Sequence, residues 1–182
     1  MRRMRTEPVI DSEGLVLRPW TATDAPDLIE AYTDPLLNRF APLALTDADE
    51  ADRWLQLQSD LWAEGTRFSY AVLEEGALVG NVLLKYPQPE GPSAEIGYWT
   101  TAAARGRSVA PRAVRALSAT AFAEVPALAR IELLHRVDNP ASCRVAEKSG
   151  YPFAEDLPPL PPTYPLPGHM HLRVRDGVDS HV

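Results

Sequence analysis

The chain has 182 residues, of which 45% are hydrophobic and 24% charged, as expected for one soluble domain around one sizeable core. A net charge of −7 argues against nucleic-acid binding, which needs a basic face to displace counterions. The single cysteine, Cys143, rules out an internal disulfide framework and fits a reducing compartment, and no apolar run reaches the ~20 residues of a membrane span.

The first five residues, Met1 to Arg5, are basic, but no apolar stretch follows them. A signal peptide is therefore not expected, and the simplest location is the cytoplasm. Residues 1–14 read as an N-terminal extension, 15–175 as the domain and 176–182 as a C-terminal tail.

Leu15-Val16-Leu17-Arg18 alternates as a short first strand. Thr23-Asp24-Ala25-Pro26 reads as a helix start, with Thr23 or Asp24 able to cap and proline tolerated in the first turn. Leu28, Ala31 and Tyr32 supply its apolar face. A second helix is expected over about Asp47 to Glu64, with Ala51, Trp54, Leu55, Gln58 and Leu61 at helical spacing and Gly65 after it.

A hairpin follows, Phe68 to Leu73 and Ala77 to Leu84, turning at Glu75-Gly76. After a Pro/Gly loop over Pro87 to Pro92, Ala94 to Trp99 reads as a third β-rich run. An arginine-rich turn then leads into a helix over about Val109 to Glu124, where Ala110, Val114, Leu117 and Ala121 share one face. Ile131 to Val137 alternates as a strand. Asn139-Pro140 opens another helix, with asparagine as N-cap, proline at the first helical position and Gly150 beyond its end. Eighteen prolines exceed the usual ~5% share and crowd into a loop from Leu157 to Pro167, before a last strand over Met170 to Val174. Hairpins first, then strands alternating with helices, describe an α+β domain: a mixed, mostly antiparallel sheet with helices on its faces.

Four features carry chemistry. The turn Arg105-Gly106-Arg107-Ser108-Val109-Ala110 lies between a strand and a helix start. Unpaired N–H groups and the positive helix end suit a pyrophosphate there, and Gly106 lets the backbone approach closely. Arg112 and Arg115 make four arginines within eleven residues, although a solvated helix start with ordinary surface arginines fits the same pattern. Glu95, in the strand before the turn, is a candidate general base for an amine, or else a sheet-surface glutamate paired with a neighbour. Asn139 and Ser142 place two polar groups at the start of the later helix, able to meet an amide-bearing ligand. Cys143 beside them reads as packing rather than as a nucleophile, and Tyr98 and Trp99 as core or cleft wall. His169-x-His171 puts two imidazoles on one face, but no third ligand is evident, so no metal is expected.

Taken together, these residues resemble the GNAT superfamily of N-acetyltransferases, and most closely its ribosomal-protein-N-terminal (Rim-type) branch. The resemblance runs from Leu15 to Tyr151: Leu15-x-Leu17-Arg18-Pro19, then Glu95-Ile96-Gly97-Tyr98-Trp99, then the turn at Arg105, then Asn139-Pro140-x-Ser142-x-x-Val145-x-Glu147-Lys148-x-Gly150-Tyr151. It implies a sheet splayed at its centre and acetyl-CoA as co-substrate, without a metal. Backbone N–H groups of Arg105 to Ala110 would hold the pyrophosphate, main chain at Trp99 and Thr100 would pair with the pantetheine arm, and Asn139 would contact it. Ser142 would lie near the thioester sulfur and Glu95 would act as base. The acceptor would be an amine that attacks directly in a ternary complex. Members of the family often dimerise, which leaves a homodimer open.

Two positions depart from the family pattern. Ser108 stands where the loop usually has glycine, which costs roughly 1 kcal/mol if the backbone there needs positive φ. Ala146 stands where many relatives carry a tyrosine acid, so Ser142 or water must assist the leaving thiolate. These departures motivate a second reading, a CoA-binding pseudoenzyme acting as a sensor or interaction module.

Overall fold

The computed structural model describes residues 10–43, 45–88 and 91–176. The basic start Met1 to Arg5 and nearly all of the tail expected over 176–182 lie outside them. Eight strands form one sheet: β1 Ile10–Ser12, β2 Leu15–Pro19, β3 Arg67–Glu74, β4 Ala77–Lys85, β5 Ser93–Thr100, β6 Arg130–Arg136, β7 Phe153–Leu157 and β8 Gly168–Val174. Their spatial order is β1-β2-β3-β4-β5-β6-β8-β7. β5 and β6 run parallel, and every other neighbouring pair is antiparallel. Five α-helices accompany the sheet: α1 Ala25–Ala31, α2 Pro35–Phe40, α3 Ala48–Glu64, α4 Val109–Glu124 and α5 Pro140–Lys148. The α+β class and the mixed sheet read from the sequence are those of the fold.

Local chemistry explains most of the boundaries. Asp47 caps α3 by accepting from the Glu50 N–H at 2.8 Å, and Gly65 closes it in the left-handed region at φ 74°. Glu75 and Gly76 both take positive φ, the geometry a two-residue hairpin turn requires. The sheet begins inside the segment expected as an extension, because Ile10–Ser12 pairs antiparallel with Leu15–Leu17.

Two caps differ from the sequence expectation. Asp24 occupies the N-cap position of α1, but its carboxylate makes no capping bond there. It instead takes both guanidinium nitrogens of Arg18 at 2.7 Å and the Thr21 N–H at 2.8 Å, fastening the helix start to β2. Asn139 likewise precedes α5 without a side-chain cap.

Besides β1, two further elements escaped the sequence pattern. α2 spans six residues, too few to repeat an apolar face, and is marked only by Asp34 accepting from the Leu36 N–H and by Pro35 at its start. β7 is exposed along almost its whole length, so no alternation marks it.

Two cores flank the sheet. The larger joins α4 (Val114, Leu117, Ala121) to Leu15, Tyr70, Val82, Ile96 and Ile131. The smaller gathers α1 to α3 around Leu28, Leu55 and Trp99. Trp99 meets Trp20 and Tyr32 edge to face or tilted, and Trp20 meets Trp54, so β5 is wedged between the two cores.

Candidate active site

The parallel pairing of β5 with β6 stops at Ile96 and Leu133, although β5 continues to Thr100 against β4. Beyond that point the two strands part. The Pro92 carbonyl accepts from Ala129 and Arg130, so the even-numbered residues of β5 aim their main-chain groups at β6. Thr101 N–H donates to the Val79 carbonyl, so the odd-numbered residues face β4. Past the parting, Tyr98 and Thr100 therefore present main-chain groups to the opening. Trp99 turns its main chain toward β4, where a Cβ on Gly80 would meet the Trp99 carbonyl at 2.4 Å.

The opening widens into a cleft of about 1000 Å³. Glu95, Trp99, Thr100, Arg105, Gly106, Ser108, Val109, Ala110, Asn139 and Ser142 all line it. Arg107 does not. Residues 95 to 142 in the chain thus meet on one surface, within the upper range of small-molecule sites.

At one end lies the turn before α4. Gly106 takes φ +75° and Ser108 φ +59°, and no atom would crowd a Cβ at Gly106, so the backbone angle is what demands glycine there. Among the described residues, the N–H groups of Gly106, Arg107 and Ser108 have no backbone acceptor. Val109 and Ala110 add the first-turn N–H groups of α4, and Pro111 has none to lose.

The arginines behave differently from the free cationic cluster their spacing suggests. Arg105 pairs with Asp34, while Arg107 and Arg112 share Glu74. Arg115 binds the Glu13 carboxylate, and Arg112 also donates to the Glu13 carbonyl at 2.9 Å. Side-chain hydrogen bonding from Arg112, with Arg107 beside it, holds Glu74 below the usual carboxylate range. The turn thus offers backbone N–H groups inside a ring in which three carboxylates pair with four arginines.

Further along β5, Glu95 Oε2 receives Lys85 Nζ at 2.6 Å from the facing position on β4. Both residues line the cleft. Tyr98 points to the opposite face by strand alternation, where its hydroxyl lies 2.8 Å from Ser142 Oγ. Burial pushes the Tyr98 phenol up to about 12. Ala146, on the same helix as Ser142, is fully buried. Reading Tyr98 as cleft wall missed this bond, whose one sequence signal is its even position three residues after Glu95. Asn139 sits at the α5 start with its side-chain amide in no hydrogen bond among the described residues.

The histidine pair is also more than its sequence suggests. His135 on β6 and Cys143 on α5 converge on His169 and His171, so four side chains able to ligate a metal meet at one point. His169 and His171 are two apart on β8, but the other two come from elements that only the fold brings near.

Comparison with known proteins agrees with this geometry. Residues 14–152 match the model of the acetyltransferase (GNAT) domain. The ribosomal-protein-serine acetyltransferase of Escherichia coli (strain K12) is 27% identical over 110 residues, covering 60% of this chain and 61% of that protein. Among solved structures, a putative ribosomal-protein-serine acetyltransferase from Vibrio cholerae superposes with a TM-score of 0.79 at 21% identity, over 95% of this chain and 99% of that one. The ribosomal L7/L12 α-N-protein acetyltransferase RimL in complex with coenzyme A gives 0.81 at 22% identity, over 94% and 98%. The microcin C7 self-immunity acetyltransferase MccE in complex with acetyl-CoA and AMP gives 0.81 at 14%, over 96% and 99%. With most of its length matched by the family model, the chain belongs to the GNAT acetyltransferase family.

Proposed function

We propose that this acetyltransferase moves the acetyl group of acetyl-CoA to a primary amine, either a protein N-terminus or a small-molecule amine, by direct attack in a ternary complex. The observation that carries the reading is the convergence on one cleft of a backbone anion site, an unpaired strand edge and two polar centres on opposite faces of β5. The pyrophosphate lies against the N–H groups of residues 105–110. The pantetheine amides lie along Thr100, with Tyr98 sharing that edge, and Asn139 meets them from α5. Relatives solved with coenzyme A or acetyl-CoA support the co-substrate.

Glu95 takes the proton that the attacking amine must lose, directly or through water. Ser142 lies by the departing sulfur with Tyr98 behind it. A phenol at about 12 does not give its proton outright to a thiolate whose reference value is about 8.5. The Tyr98–Ser142 pair therefore acts by hydrogen bonding to the charge that develops on sulfur. Cytoplasmic location and a homodimer belong to the same proposal. Among the described residues no helix is long and apolar enough to cross a membrane.

The test is release of coenzyme A thiol across a panel of amines, with mass spectrometry of the acetylated products. Release with at least one amine, and one acetyl group on its nitrogen, is the expected result. Acetyl-CoA that raises the unfolding temperature yet never yields thiol would establish the pseudoenzyme instead. Glu95→Gln should slow a lysine ε-amine (reference about 10.4) more than an α-amine (about 7.7–8.0) near neutral pH. Turnover equal to wild type on both would remove Glu95 from the reaction.

A further inference from the structure

The chain contains four histidines and one cysteine. Three of those histidines and the cysteine meet at one point: the ligand atoms of His135, Cys143, His169 and His171 all lie within 4.8 Å of one another. His135 Nε2 is 3.3 Å from His171 Nε2 and 3.3 Å from Cys143 Sγ, and His169 Nδ1 is 3.4 Å from Cys143 Sγ. Metal bonds of about 2.05 Å to nitrogen and about 2.3 Å to sulfur at tetrahedral angles give edges of about 3.3 Å between nitrogens and about 3.6 Å between nitrogen and sulfur. Three of the six separations lie within about 0.3 Å of those edges, and the others reach no more than 4.8 Å, so the four groups need only draw together slightly around an ion.

The proton inventory gives an independent argument. His135 Nδ1 lies 2.8 Å from the Arg136 carbonyl and His171 Nδ1 lies 3.1 Å from the Tyr151 carbonyl. A carbonyl only accepts, so both Nδ1 atoms carry hydrogen and both Nε2 atoms present lone pairs. His169 Nε2 faces Asp156 Oδ1 at 3.4 Å, which favours a hydrogen on Nε2 and leaves Nδ1 toward Cys143. Three lone pairs and a sulfur thus converge with one thiol proton among them. That deficit of donors is what a cation satisfies. The outward contacts to two carbonyls, with a carboxylate beside the third ring, are also the kind that orient metal-bound imidazoles.

We propose that His135, Cys143, His169 and His171 form a four-ligand zinc site. One thiolate with three imidazoles suits a borderline-soft ion that prefers tetrahedral geometry, and four protein ligands close the shell, which marks a structural rather than a catalytic metal. The site joins α5 to β6 and β8. Cys143 directly follows Ser142 in α5, and His135 lines the cleft itself, so the metal fixes the helix that carries Asn139 and Ser142. The proposal stands independently of the acceptor and of the reaction.

The experiment uses the full chain without an affinity tag, stripped of metal and titrated with Co²⁺ alone, then with Zn²⁺. Expected are one equivalent of Co²⁺ per chain, the strong visible absorption of a tetrahedral ion, a sulfur-to-cobalt charge-transfer band, and displacement by Zn²⁺. Cys143→Ser should abolish the charge-transfer band. His169→Asn, at a partly exposed position, should weaken Zn²⁺ binding at least tenfold while circular dichroism confirms folding. Zn²⁺ should also raise the unfolding temperature of the wild type and not of Cys143→Ser. A wild-type titration without the charge-transfer band, or equal Zn²⁺ affinity in wild type and His169→Asn, would overturn the site and leave the cluster held by protons alone.

Discussion

The Tyr98 hydroxyl and the Ser142 hydroxyl lie 2.8 Å apart and tie the splayed strand β5 to helix α5 across the cleft. Neither residue has this partner nearby in sequence, and the bond exists because an even position on β5 faces the first turn of α5. Tyr98→Phe removes the bond and keeps the ring. Turnover should fall about five- to tenfold, the effect of about one hydrogen bond, with little change in the KM for acetyl-CoA. Ser142→Ala should lose at least as much, and the double variant should lose less than the product of the two. Steady-state kinetics on the three variants measures that coupling.

Glu74 pairs with both Arg107 and Arg112 beside the proposed pyrophosphate site. Glu74→Gln removes the negative charge that the two guanidinium groups share and leaves the turn more positive. Acetyl-CoA should bind about two- to fivefold more tightly at low salt, and the gain should shrink as ionic strength rises. Calorimetry at two salt concentrations reads this directly. An affinity unchanged at both would mean that the arginines stay away from the phosphates.

Ser108 sits at φ +59°, where a Cβ is strained. Ser108→Gly should stabilise the chain by about 1 kcal/mol in denaturant unfolding, and Gly106→Ala at φ +75° should cost about as much. If Ser108→Gly also weakens acetyl-CoA binding, the serine hydroxyl contributes to the anion site and accounts for the strain being kept.

Asp24 is held below the ordinary carboxylate range: burial alone would raise it, but the hydrogen bonds from Arg18 and Thr21 outweigh that cost. A depressed folded value contributes stability above the unfolded value of about 3.9, and that contribution is lost as pH falls through the lower folded value. Asp24→Asn should therefore cost about 2 kcal/mol at pH 7, and the gap to wild type should close as the pH drops below about 4. Urea unfolding of both proteins from pH 7 to pH 3 tests the sign.

Much of the molecule could be read before its structure. The hairpin at Glu75-Gly76, α3 between Asp47 and Gly65, and α4 after the arginine turn all follow from period and capping, which are local properties. The turn at residues 105–110 and the start of α5 after Asn139 follow from local spacing as well, although Asn139 makes no side-chain cap. What escaped depends on distant partners. Asp24 looks like a cap until Arg18 claims its carboxylate. The arginines look like free charge until Asp34, Glu74 and Glu13 reach them. His169 and His171 look like an isolated pair until β6 and α5 bring His135 and Cys143 alongside. β7 and α2 escaped differently, one too exposed and the other too short to carry a periodic signal.

The alternation along β5 has a consequence for how this protein can change. Odd positions hold Glu95 and the Trp99 ring, and even positions hold Tyr98 and the open main-chain edge at Thr100. Inserting or deleting one residue between Glu95 and Tyr98 would exchange those assignments all at once, turning the phenol away from Ser142 and the free edge toward β4. The strand behaves like a reading frame: its letters can be substituted one at a time, but its length is fixed. Changes of length belong in the loop around residue 91 or beyond β7, where the chain keeps no such count.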